Sequence, residues 1–431
     1  MRPTNTAMRL VRLVFAGLFA CAIFGFPLVS TLPVFLGVES RPISLAYRAL
    51  VAGVSVVVLV RGFLMTQAFI HARYVIVVCG LMGLLTLRLL WDALLAPLPL
   101  DLNWMEIWPF ALGVTFLPAA AFLLKVDTET LEIARRWSLR LGVLAATAVI
   151  AAALVALRDV ATFLRLDTGV LNPISIGHVG VSLFVLLLLR PSRVKEPDGW
   201  RRRLRSASNG LGLIIAAALI IASGSKGPLL AWLVVMLVWL FTLGRASILA
   251  GLGLRRVIWP LFLLVSLVLS FVVLNAIVSL PIIERVLNVA QDQSTSERVR
   301  LLSQAIAQFE ESPVVGSAIF EYDSRIYPHN ILVEVLMVGG VVALVPLLIM
   351  LFEGIRAAAI CLFQVCRERW LVLLYLQYLV DAMFSGSLFY SPQFWLISVV
   401  MLGLASRPPG SPALHGQAAR TPTPWGLISR G

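Results

Sequence analysis

Stretches of about twenty consecutive apolar residues recur along the whole 431-residue chain, and no other feature limits its folding so strongly. A helix needs roughly 20 residues to cross the hydrocarbon core of a bilayer, within a range of about 17–25. Twelve stretches meet that need: 10–30, 43–61, 73–93, 106–125, 139–157, 173–190, 207–223, 228–244, 257–280, 330–352, 369–385 and 388–405. Lipid offers no hydrogen-bond partner to a peptide group, and a helix satisfies its own within one segment. The sequence therefore predicts an all-α polytopic integral membrane protein of about 12 transmembrane helices. Only 13% of the residues are charged, too few to cover a soluble domain of this size. We expect residues 1–405 to form a single transmembrane domain. A disordered cytoplasmic tail, rich in Pro, Ser, Gly and Thr, follows over 406–431.

The net charge of +13 sits in the short connections between apolar runs, where topology rules place it, so nucleic acid is not an expected partner. With the N-terminus taken as cytoplasmic, the inner segments hold 25 of the 35 Lys and Arg residues. The outer segments hold eight, and Arg48 and Arg88 fall inside helices. This bias follows every alternation of the twelve crossings and predicts both termini in the cytoplasm. Arg9 and Arg12 precede an apolar run that continues to Val34, which reads as a retained signal-anchor helix. Cys21, Cys79, Cys361 and Cys366 all lie in or beside apolar runs and are read as small apolar fillers. Arg88 is expected to pair with Asp92 four residues on, and Arg48 to reach the nearby outer end of its helix.

The purposeful polar features fall on the outer side. Ser223-Gly224-Ser225-Lys226-Gly227-Pro228 joins two helices. Its glycines allow close backbone approach, Pro228 suits a first helical turn, and the helix N-terminus adds positive character. Together with Lys226 these make an anion site suited to phosphate, with a plain hairpin turn as the alternative. Residues 281–329 form one large outer (periplasmic) loop, partly helical by the periodicity of Val299, Leu302, Ala305, Ile306 and Phe309. It carries Ser296-Glu297-Arg298-Val299-Arg300, then Ser312-Pro313-Val314-Val315-Gly316, and ends in Pro328-His329-Asn330. A neutral imidazole at that boundary can take a proton from a hydroxyl, and Asn330 can orient a sugar; ordinary capping is the alternative. His178 is expected to be a packed helix histidine. Glu321 and Asp323 form a lone acidic pair, and no metal or nucleotide motif occurs, so no metal or other cofactor is expected.

The order of these motifs, a Ser-Gly-Ser-Lys-Gly turn, a loop arginine, a small-Pro-apolar-apolar-Gly stretch, Pro-His-Asn and a Gly339-Gly340 helix, resembles the O-antigen ligase and O-antigen polymerase family. The resemblance implies a GT-C-like glycosyltransferase of the bacterial inner membrane. It implies His329 as the catalytic residue activating the acceptor hydroxyl and Arg298 as a donor-diphosphate contact. Lys226 stands where the family usually has arginine; Ser225, Asn330 and Arg300 are the further substrate-binding candidates. The implied donor is a glycan on undecaprenyl diphosphate, and the implied acceptor is lipid A–core. Ala343 stands where the ligase pattern carries Gly, Thr or Tyr, so joining of lipid-linked repeat units is the alternative. A polysaccharide or lipid transporter is the alternative from another class, kept open by Arg48 and Arg88.

Overall fold

The computed structural model describes residues 5–64, 68–95, 104–156, 166, 168–189, 200–249, 293–364 and 366–407. The predicted crossing at 257–280, the first part of the long loop (281–292) and the tail beyond 407 lie outside the described residues. The other eleven predicted crossings are helices. They are α1 (Asn5–Val29), α2 (Ser40–Leu64), α3 (Ala72–Leu90), α4 (Glu106–Ala121), α5 (Thr128–Ala156), α6 (Pro173–Leu188), α7 (Trp200–Ala222) and α8 (Lys226–Leu249). After the loop helix α9 (Gln293–Glu311) come α10 (Ile331–Phe363), α11 (Arg369–Phe384) and α12 (Pro392–Ala405). Six of the described helices are long and apolar enough to cross a membrane. Their outward surface suits lipid: Leu50, Ile76 and Phe352 are 65%, 71% and 65% exposed, which water would penalise. The protein is an all-α polytopic membrane protein.

Local chemistry sets the helix starts. Asn172 accepts the Ser175 N–H at 2.8 Å ahead of Pro173 in α6, and Asp127 accepts the Thr130 N–H at 2.8 Å ahead of α5. The core between the helices is aromatic, with Phe19, Phe24, Trp370, Phe389, Phe394 and Trp395 sealed from solvent.

The segments that the Lys and Arg distribution groups together do share one end of the bundle. Arg12 pairs with Asp127 at 2.7 Å and also with Glu129. The His71 N–H meets Ser406 Oγ at 3.2 Å, and Arg407 meets Glu368 at 2.8 Å. At the other end Arg41 pairs with Glu106 at 2.9 Å, and the Thr115 hydroxyl donates to the Phe389 carbonyl at 2.7 Å. Cys361 and Cys366 are buried side by side where α10 ends, as small apolar fillers would be, whereas Cys21 is half-buried and Cys79 exposed. The turn ending α10 brings their Cα atoms to 5.2 Å, within bridging range.

Two sequence motifs separated along the chain meet inside the bundle. α10 is broken at Gly340, whose φ of 60° and ψ of −159° no ordinary helix contains. The loop after α9 enters at this break. The Val341 and Val342 N–H groups donate to the Pro313 and Val314 carbonyls at 2.9 and 3.2 Å, and the Ser317 N–H donates to the Met337 carbonyl at 2.8 Å. Irregular backbone at such depth is tolerated only when protein covers and satisfies it. Both glycines are required by contact: a methyl on Gly316 would fall 2.4 Å from the Val338 carbonyl carbon, and one on Gly340 would fall 2.3 Å from the Val314 oxygen.

The intramembrane charges hold the same loop. Arg88 Nε lies 2.9 Å from Asp92 Oδ1, as the spacing predicts. Arg88 also donates to the Gly316 carbonyl at 3.3 Å, and Asp92 Oδ2 accepts the Ile319 N–H at 2.8 Å. The helical reading of the loop is met by α9, but its buried face is Leu301, Ala305 and Gln308, with Val299 and Ile306 exposed. Apolar periodicity passed over Gln308, which is buried because its amide serves the turn: Nε2 donates to the Phe320 carbonyl and Oε1 accepts the Tyr322 N–H, each at 3.2 Å.

Candidate functional site

The C-terminal end of α11, with the turn that follows it, is the hub of the site. Its three consecutive carbonyls at Met383, Phe384 and Ser385 receive three of the residues singled out in the sequence. Asn330 Nδ2 donates to Met383 at 3.1 Å, and Arg298 Nη1 donates to Phe384 at 2.8 Å. His329 Nδ1 lies 3.3 Å from the Ser385 oxygen. A carbonyl oxygen only accepts, so this bond requires the proton on Nδ1 and leaves the lone pair on Nε2. His329 has a φ of 57°, a left-handed conformation that is uncommon outside glycine and is found at functional positions.

The hub is held from several sides. Asn330 Oδ1 caps α10 by accepting the Leu332 and Val333 N–H groups at 3.0 and 3.1 Å. One turn on, the fully buried Glu334 accepts the Ser387 hydroxyl at 2.7 Å and the Leu388 N–H at 2.9 Å. Trp395 Nε1 donates to the Leu388 carbonyl at 2.7 Å. The segment carrying Lys226 closes against the same turn, because a methyl on Gly227 would fall 2.9 Å from Ser385 Oγ. Ser385 Oγ is itself buried and has no hydrogen-bond partner among the described residues.

The predicted residues divide. His329, Arg298 and Asn330 meet at the hub, and Lys226 opens α8 beside it. Both ends of the Asn330 amide are taken up by protein, so its place in the structure is to fix the backbone next to His329. The buried Ser225 hydroxyl faces the Ser223 carbonyl at 3.3 Å. Arg300 is exposed and bears on Glu321, away from the hub. Glu321 is partly desolvated, which raises its pKa. Hydrogen bonds from Ser324 and Asp323 and the charge of Arg300 outweigh this and hold it below the usual carboxylate range. Its oxygens accept the Asp323 and Ser324 N–H groups at 2.9 and 2.6 Å, so this carboxylate organises a turn. Among the described residues no group of three or more His, Cys, Asp or Glu side chains is placed to hold a metal ion.

The electrostatics favour a neutral imidazole. Burial lowers the His329 pKa below 6.5 and the Arg298 charge lowers it further, against the opposing bond to Ser385. Tyr327 stacks edge-on against His329 at 4.5 Å, and its hydroxyl is pushed up to about 12 by burial and by the nearby Glu334, Asp381 and Tyr390. From there an aromatic track continues: Tyr327 to Tyr390 at 6.0 Å, Tyr390 to Phe110 at 5.0 Å, and Phe110 to the Arg48 guanidinium at 4.8 Å. Arg48 thus lies over the Phe110 ring. Sequence reasoning missed this track, and Tyr327, two residues before His329, was its only local signal. His178 is buried and packed as expected, 2.9 Å from Asp381 and within 3.0 Å of Gln377 through its own carbonyl.

Fold and site together define a polytopic membrane protein whose histidine, arginine and lysine candidates gather at one end of the bundle. Residues 211–348 match the family model described as O-antigen ligase. The matched stretch contains all six residues singled out above, whereas the hub carbonyls, Tyr390, Phe110 and Arg48 lie outside it. No curated protein and no solved structure matches the chain.

Proposed function

We propose that this protein is an inverting, metal-independent glycosyltransferase that moves a glycan from undecaprenyl diphosphate to a sugar hydroxyl of lipid A–core at the periplasmic face of the inner membrane. The observation that carries this reading is the convergence of His329, Asn330 and Arg298 on the carbonyls of Met383–Ser385, beside the Lys226 turn. His329 Nε2 takes the proton of the acceptor hydroxyl as its oxygen attacks the anomeric carbon in line with the bond to phosphate. That C–O bond breaks, and the diphosphate leaves with the electron pair. Arg298 uses one of its five N–H groups on Phe384 and turns its charge, with that of Lys226, to the departing diphosphate. Lysine serves as a point charge where arginine would supply a fork. The aromatic faces of Tyr327 and Tyr390 offer a platform for the acceptor sugar. Arg88, which favoured a transporter in the sequence, is used internally by Asp92 and Gly316.

The second reading is polymerisation of lipid-linked repeat units, which needs the same chemistry with a different acceptor. It is favoured by Ala343, which is sealed against Gly339 where the ligase pattern carries other residues. The test is complementation with His329→Ala beside wild type, with surface polysaccharide read on a gel. Mutant protein that reaches the membrane without restoring polysaccharide is the expected result. Free lipid-linked polymer with bare lipid A–core then marks a ligase, and single repeat units mark a polymerase. Wild-type polysaccharide from His329→Ala would refute the reading.

A further inference from the structure

Two arginines lie within the predicted crossings, and the structure treats them differently. Arg88 is taken up by Asp92 and by the Gly316 carbonyl. Arg48 has neither an ion pair nor a hydrogen bond among the described residues, and its guanidinium rests on the Phe110 face, 4.8 Å from the ring centre. Its Nε is sealed from solvent and its two Nη groups are not. The carboxylate that bears on it, Glu106, is paired with Arg41 at 2.9 Å, so these three side chains carry one surplus positive charge. An arginine at membrane depth is costly, and one that the protein does not use internally marks a place for a ligand.

Arg48 also ends the row of rings that starts at His329. Tyr327 precedes α10, Tyr390 precedes α12, Phe110 belongs to α4 and Arg48 to α2, so four separate segments build the row. Each of these side chains is half-buried, as is His329, whereas the neighbouring Phe389 and Trp395 are sealed in the core. Half-open rings in a row, with one charged group at the far end, are the usual lining of a site that takes a ligand with an apolar face and a polar handle. The apolar face of a sugar ring lies on such aromatics while its hydroxyls stay in water. The charge at the far end sets the handle: a guanidinium fork matches the oxygens of a phosphate or a carboxylate.

We propose that Arg48 is a further substrate contact, which holds an anionic group of the acceptor glycan, a phosphate or a carboxylate, while the adjoining sugars lie on Phe110, Tyr390 and Tyr327. The proposal rests on the reading of His329 as the base that meets the acceptor. The test titrates full-length purified protein in detergent with lipid A–core and reads the thermal unfolding midpoint. The lipid is used untreated, dephosphorylated with hydrofluoric acid, or with its carboxyl groups reduced to alcohols. We expect a saturable rise with the untreated lipid. Arg48→Gln should weaken it roughly ten- to hundredfold, the effect of losing hydrogen bonds to a charged group. Arg48→Lys keeps the charge without the fork and should recover part of the affinity. In wild type, which needs no variant to fold, one of the two treatments should weaken binding by a similar factor and so identify the anion. Arg48→Gln should be indifferent to that treatment. Binding should survive in His329→Ala, so transfer by that variant tests the base and the titration tests the anion contact separately. No response in wild type, wild-type binding to both treated lipids, an unchanged titration in Arg48→Gln, or an Arg48→Gln protein still sensitive to the treatment overturns the proposal.

Discussion

Gly340→Ala is the substitution for which the structure predicts the most from the smallest change. The residue occupies a backbone region open essentially to glycine alone, so any side chain costs about 1–3 kcal/mol in conformation. Its methyl would also fall 2.3–2.6 Å from the Val314 and Pro313 backbone, which has no flexible end to move aside. Relief requires the loop to withdraw, losing the bonds from Val341 and Val342 at roughly 0.5–1.5 kcal/mol each. The total, about 2–6 kcal/mol, is a large part of the ~5–15 kcal/mol that holds an ordinary domain together. The chain has a cheaper way out. α10 can close into a regular helix, with Val341 and Val342 bonding back to Met337 and Val338, which expels residues 313–319 from the bundle. We therefore expect Gly340→Ala to reach the membrane, to unfold at a lower temperature, to be cleaved by chymotrypsin near Phe320 and to make no polysaccharide. Gly80→Ala is the control: its added methyl meets open space, and helix propensity favours it by up to ~1 kcal/mol. If Gly340→Ala matched Gly80→Ala in midpoint, cleavage and product, the break in α10 would not do what we assign to it.

Three further outcomes follow. Because burial and Arg298 both hold the His329 pKa below 6.5, transfer from a lipid-linked donor should persist as pH falls through 6.5 and decline on a limb centred lower. Arg298→Met should reduce the transfer rate by about 10²–10³ and move the limb of the residual activity upward, since the charge that disfavours imidazolium is gone. Asp92→Asn leaves Arg88 charged without its partner and should destabilise by about 3–5 kcal/mol. Arg88→Met/Asp92→Asn, which removes both charges and keeps an acceptor for the Ile319 N–H, should unfold at a higher temperature than Asp92→Asn alone.

Sequence carried the fold where one strong force decides it. Bilayer thickness makes each crossing visible as an apolar run, and the Lys and Arg bias sorts the connections, so Arg12, His71, Glu368 and Arg407 do meet at one end. His329 stood out as a titratable residue at the start of a long apolar run, and Arg298 was singled out only by the order of motifs that resembles the family. Their meeting place was not legible, because the groups that receive them are backbone carbonyls, which every residue has. For the same reason the Ser312–Gly316 stretch and Gly339-Gly340 were visible only as a pattern. That one threads into the other follows from missing side chains and freed peptide bonds. Gln308 shows the converse case, since a polar residue counted against burial is buried to serve the backbone.

Holding a base by a carbonyl has a chemical consequence of its own. A carboxylate partner would fix the same Nδ1 tautomer but would also stabilise the imidazolium and raise its pKa. The neighbouring carboxylate that could do so, Asp381, lies 2.9 Å from His178 instead, while Ser385 gives His329 only a dipole. With Arg298 opposing protonation as well, His329 is a weak base. In the proposed reaction this is the appropriate strength. An anomeric carbon leaving a diphosphate gathers positive charge before the acceptor oxygen bonds to it, and that hydroxyl becomes acidic only as the new bond forms. The demanding part of such a reaction is the charge on the departing diphosphate, and Arg298, bonded to the carbonyl next to the one that holds the histidine, ties the two functions to one turn of backbone.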